Sequence, residues 1–218
     1  MCTVTAVLNN KNFTLTSNRD ISLARAHSLP PRIISCNDIE ILSPIDPEGG
    51  GTWIGVSDKY VACLLNNSGI EDISFESRGV LVNKILSEMI SLQELPYKSK
   101  LYNPYLLLLF NRKKQIFLEL TWDGTDYTEK AVTNKYNIWL STTIYSKEEI
   151  LEKRKSFSRF YSKGKKEEDI LAFHEREENL KDSDVKTTSI TQVHNSVGVV
   201  LTYKDLIDKE SYRLKFSK

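Results

Sequence analysis

In "MCTVTAVLNNKNFTLTSNRD" a cysteine stands directly behind the initiator methionine, and the stretch closes on Asn18, Arg19 and Asp20. Once Met1 is removed, which the small second side chain favours, Cys2 carries a thiol and a free α-amine on one carbon. The amine has an ordinary pKa of roughly 7.7–8.0, so it can take the thiol proton without help from a histidine. A guanidinium beside a thiol lowers its pKa, and a carboxylate can fix the ammonium or the arginine. Arg19 and Asp20 supply one group of each kind. The chemistry of such a set is nucleophilic attack on a carbonyl. The competing reading makes Cys2 a small residue at a strand start and "NRD" a polar strand end.

These residues need a hairpin to bring them together. Residues 3–8 are rich in β-branched side chains, "NNKN" is turn chemistry and "FTLTS" alternates. An antiparallel return over that turn places Arg19 and Asp20 beside Cys2. Residues 22–50 read as irregular, with four of the six prolines and three consecutive glycines; a loop of that length is often functional. "TWIGVS" and "YVACLLN" predict two strands, and the apolar spacing over 79–90 predicts a helix packed on a sheet. A hairpin follows over 102–124 around "NRKK", and "YTEKAV" and "NIWLSTT" are expected to extend its sheet. Ser146 and Glu149 form a capping box that opens a helix to 161. A second, charged helix is read over 165–180, then three strands, "TTSITQV", "VGVVLTYK" and "SYRLKF", with "HNS" as the first turn. The expectation is one α+β domain over residues 1–218, an antiparallel sheet core with helices on it.

Composition narrows the function classes. Thirty basic and 29 acidic side chains leave a net charge of +1 in 218 residues, which gives no electrostatic footprint for nucleic acid or an anionic membrane. "YLLLLF" is the longest apolar run and is too short to span a bilayer. Three cysteines without CxxC spacing fit a reducing compartment, and no secretory leader pattern opens the chain. A cytoplasmic soluble protein is therefore expected. Cys36 and Cys63 are taken as structural.

"MCTVTAVLNNKNFTLTSNRD" followed by "GGGTWIGVSDKYVACLLNN" resembles the NRDE family, also called the transport and Golgi organisation 2 family. Softer correspondences, "SRGVLV", "LYNPYLLLL", "WLSTT" and the C-terminal strands, carry the likeness over nearly the whole chain. The fourth motif residue is Ile21 rather than glutamate. More distantly, the Met-Cys-Thr start and the cluster after one hairpin are similar to the choloylglycine hydrolase and penicillin V acylase group. Those are N-terminal-nucleophile hydrolases with an αββα sandwich fold. That likeness implies Cys2 as nucleophile, its α-amine as base, and Arg19 and Asp20 as supports of the thiolate and amine. Asn66 is then the oxyanion donor, with Asn67 the alternative register.

The remaining features divide between structural and ligand roles. The glycines before Trp53 let the backbone pass close to another element, and Trp53 packs near the site mouth or touches the ligand. His27, in the segment after the motif, is placed near a ligand, with Asn18 beside it in the binding set; no histidine pair has metal-ligand spacing. "KGKKEEDILAFHEREENLKD" reads as a solvated helix face, and His174 and His194 as a charged helix face and a turn. Two functions are carried forward. One is a Cys2-centred site that binds and hydrolyses an amide or thioester of an apolar acyl metabolite, with no cofactor required. The other is a non-catalytic carrier for haem or acyl-CoA and lipid, the cargo that the family resemblance implies.

Overall fold

The structure is a computed structural model that describes residues 3–9, 12–69, 71–72, 74–163, 169–176 and 184–217. In chain order its elements are β1 (Thr3–Asn9), β2 (Asn12–Ser22), β3 (Leu29–Cys36), β4 (Ile39–Ile45), β5 (Ile54–Val56), β6 (Tyr60–Asn66), α1 (Arg78–Leu86) and α2 (Leu95–Lys98). Then follow β7 (Tyr105–Asn111), β8 (Ile116–Trp122), β9 (Tyr127–Ala131), β10 (Tyr136–Leu140), α3 (Lys147–Ser162), α4 (Ile170–Arg176), β11 (Val185–Asn195), β12 (Val199–Asp205) and β13 (Ser211–Phe216). The fold is mixed α+β with two antiparallel sheets, as the strand-rich sequence predicts. No helix among the described residues is long and apolar enough to cross a membrane.

The chain divides into two compact units, one built from Met1–Arg25 with Asn134–Ser217 and the other from Ala26–Thr133. The first holds a six-stranded sheet in the order β10-β1-β2-β11-β12-β13. Antiparallel pairing runs Val4 opposite Ser17 and Asn9 opposite Asn12, so the opening hairpin forms as its alternation predicts. Helix α3 starts at a capping box: Ser146 Oγ accepts from Glu149 N at 3.2 Å, and Ser146 N donates to Glu149 Oε2 at 2.8 Å. Such a cap stabilises a helix by about 1 kcal/mol. Helices α3 and α4 meet through a hydrophobic cluster of Phe157, Ile170 and Phe173, with Ile138 of β10 packed against it.

The second unit carries a seven-stranded sheet in the order β3-β4-β5-β6-β7-β8-β9. Leu81, Val82, Ile85 and Leu86 of α1 bury against Ala62 and Leu64 of β6 and Leu107 and Leu109 of β7. Each fully buried aliphatic side chain of this kind stabilises by about 1.5–3 kcal/mol before the entropy of ordering is charged against it. The glycine run has the close approach expected of it. A Cβ on Gly51 would fall 2.1 Å from the carbonyl carbon of Gly79, where α1 begins, and Thr52 N donates to Gly79 O at 3.2 Å. Only a residue without a side chain fits there.

Four readings of the sequence need correction. The stretch 22–50 is not irregular, because β3 and β4 form a hairpin within it. Pro30 and Pro31 fit because β3 is the edge strand and its register shifts between Leu29 and Arg32. Asn37 and Asp38 turn the hairpin at φ 52° and 58°, the left-handed pair that a two-residue turn requires. Strand β10 joins β1, with Thr3 opposite Leu140, rather than extending the sheet of β9. Alternation marks a strand but does not name its partner.

The charged helix read over 165–180 forms over Ile170–Arg176, while its residues 165–168 and 177–180 lie outside the described residues. Its Ile170, Phe173 and His174 are buried, so it is no solvated face there. His194 lies in β11 opposite Thr14, which bonds it at 2.9 Å, and the turn falls at 196–198 instead.

Candidate functional site

Strand β2 carries Asn18, Arg19 and Asp20 through the middle of the six-stranded sheet, and their exposures are 0%, 3% and 1%. Alternation sends neighbours to opposite faces. Asn18 and Asp20 lie on the face that bears α4, and Arg19 lies on the other. A bulge in β11 keeps this arrangement in step. Asp20 pairs with Thr187 and Arg19 with Ser189, leaving Thr188 as the extra residue. The Thr188 hydroxyl donates to Arg19 O at 3.3 Å, and its carbonyl accepts from Leu206 N at 2.9 Å, so the bulged backbone stays satisfied. Without that insertion Ser189 would share the face of Thr187.

Asp20 is the centre of a buried hydroxyl chain. Thr187 Oγ1 donates to Asp20 Oδ1 at 2.6 Å, and Tyr145 OH donates to Asp20 Oδ2 at 2.9 Å. Tyr145 OH also meets Thr3 Oγ1 at 3.0 Å. Burial pushes the Asp20 carboxyl above its usual range, against the pull of the Thr187 and Tyr145 hydrogen bonds and the Lys153 charge. The Lys153 ammonium of α3 sits 5.0 Å above the Tyr145 ring.

Asn18 anchors a second network on the same face. Its Nδ2 donates to His174 O at 3.2 Å, so its Oδ1 is left to accept from His174 Nδ1–H at 2.6 Å. That fixes the tautomer. The bare Nε2 then accepts from the Thr5 hydroxyl at 2.7 Å. Burial, with the Lys153 charge second, depresses the His174 pKa to about 3, so the ring is neutral. Asn18 thus ties α4 to β1 and β2.

Asn66, Asn67, Trp53 and His27 belong to the second unit. Asn66 ends β6 half-buried opposite Tyr105. Asn67 follows it, its N–H bonded to Pro104 O at 3.1 Å and its Oδ1 accepting from Ser68 N at 3.1 Å. Trp53 is buried, and its carbonyl accepts from Leu64 N at 2.8 Å. His27 is exposed. Cys2 lies outside the described residues.

The first unit therefore gathers Asn18 and Asp20 with partners that sequence reasoning passed over: Thr3, Thr5, Tyr145, His174 and Thr187. The hydroxyl-rich run "TTSITQV" was the available signal for one of them, Thr187.

Residues 1–206 match the sequence model of the Transport and Golgi organisation 2 family. The chain belongs to that family. A search of curated proteins finds no match. The match runs from the chain start, through the Asn-Arg-Asp strand, to the first residue after β12, so this family member carries both polar networks within the matched span.

Proposed function

We propose that this family member handles an apolar acyl group at a Cys2-centred site and hydrolyses its amide or thioester. One observation carries the reading. Thr3, the residue that follows Cys2 in the sequence, is hydrogen-bonded through Tyr145 to Asp20, a buried carboxyl whose pKa is raised. Buried, perturbed carboxyls collect at working sites.

In the proposed reaction the Cys2 thiol adds to the acyl carbonyl and its proton passes to the α-amine. The tetrahedral oxyanion collapses, the C–N or C–S bond breaks, and the leaving amine or thiol takes the proton. Water then attacks the acyl thioester, releases the carboxylic acid and restores the thiol. Arg19 is proposed to favour the thiolate, and Asp20 to hold the ammonium through the hydroxyl chain.

The test is turnover of octanoyl thioesters and amides by the wild-type protein and by Cys2→Ser. Hydrolysis by the wild type, lost to background in Cys2→Ser, is expected. Equal rates in the two proteins overturn the enzymatic reading. Tight acyl binding without turnover in the wild type favours a carrier instead.

A further inference from the structure

The face of the six-stranded sheet that bears Arg19 has two polar side chains without a structural use. Ser189 and Thr191 of β11 are fully buried, and neither hydroxyl has a hydrogen-bond partner among the described residues. Buried polar groups are nearly always paired, and an unpaired one costs stability. These two stand on successive same-face positions of one strand.

Their neighbours follow from the register. Arg19, Ser189 and Asp205 lie opposite one another across β2, β11 and β12, and Ser17, Thr191 and Tyr203 form the next row. The Asp205 carboxylate is already engaged. Tyr203 OH donates to its Oδ2 at 3.2 Å, and the N–H groups of Ile207 and Asp208 donate to its Oδ1 at 2.9 and 3.0 Å. The donors left over are thus the two hydroxyls, on the same face as the Arg19 guanidinium. One row further on, the same face turns apolar, with Ala6, Leu15, Val193 and Leu201.

We propose that Ser189 and Thr191 bind the carboxylate of the acyl acid, with Arg19 neutralising its charge and the apolar row beside its alkyl chain. Same-face positions on a strand stand roughly 6.4–6.8 Å apart. A carboxylate can bridge that span, each oxygen accepting one hydroxyl hydrogen bond of about 2.7 Å. The assignment rests on the acyl reading of the Cys2 site and names the acid product as a ligand in its own right.

Octanoate is the probe, followed by calorimetry and thermal unfolding of the wild-type protein and of the Ser189→Ala/Thr191→Val variant. Apolar replacements remove the unpaired hydroxyls, so the ligand-free variant should melt roughly 2–8 °C higher. Its octanoate affinity should fall at least tenfold. A gain in stability with a loss of binding is a pattern that a purely structural role does not produce. A lower melting temperature in the variant means that the hydroxyls hold the fold, and overturns the proposal. So does equal octanoate affinity in the two proteins, or no binding by the wild type. A wild-type protein that binds octanoate through these hydroxyls yet hydrolyses no octanoyl ester sinks the enzymatic reading alone.

Discussion

Replacing Asp20 by alanine is expected to cost about 2–4 kcal/mol of stability. The carboxyl accepts from Thr187 and Tyr145, both in the buried core of the first unit; the change orphans the Thr187 hydroxyl at about 1–3 kcal/mol and takes one partner from Tyr145, which keeps Thr3. For a chain of this size the melting temperature should drop by roughly 5–15 °C. Asp20→Asn keeps one acceptor and should lose less. The two isosteres also differ in pH response. Burial raises the Asp20 pKa in the fold, so above its unfolded value of 3.8 the native state keeps a proton that the unfolded chain has released. The wild type therefore loses stability as pH rises through the folded value, and Asp20→Asn does not. Urea unfolding of both proteins across that range checks the sign: the gap between them should narrow as pH rises.

His174→Phe is expected to be nearly as damaging. Phenylalanine keeps the ring volume inside the Phe157 and Phe173 cluster but leaves the Thr5 hydroxyl and Asn18 Oδ1 unpaired. Two buried groups without partners should lose about 2–4 kcal/mol near pH 7.5. The loss depends on pH in a defined direction. His174 takes up a proton near pH 6.5 when unfolded and near 3 when folded. Between those values the unfolded state binds the extra proton, so the wild type loses about 1.4 kcal/mol for each unit that pH falls. The phenylalanine variant lacks that term. Denaturation curves at pH 7.5 and 5 should thus show the two proteins about 2 kcal/mol closer at the lower pH. A gap that widens on acidification would show that the buried imidazole is charged.

How much of this was legible in the sequence depends on what each signal encodes. The opening hairpin, the capping box at Ser146 and the strands around "NRKK" follow from local alternation and turn chemistry, which a single chain displays. The partner of β10 did not, because pairing between residues 3–7 and 136–140 leaves no local trace. The β3–β4 hairpin was hidden by Pro30 and Pro31, which argue against a strand unless it is known to lie at an edge.

Within the site, the motif residues Asn18, Arg19 and Asp20 were visible, and their opposite facing is implied by strand alternation. The bulge at Thr188 was not, and it decides which hydroxyls join Asp20 and which join Arg19. His174 was masked by its neighbours. A helix rich in Lys and Glu reads as solvated, yet one turn of it is buried because Phe173 and Ile170 need a core.

The central claim is that Cys2 is a nucleophile, and intact mass after brief iodoacetamide treatment, with peptide mapping, tests it most directly. The account predicts a chain lacking Met1, with Cys2 labelled selectively over Cys36 and Cys63. A retained Met1, or a Cys2 that labels no faster than the half-buried Cys36, contradicts it.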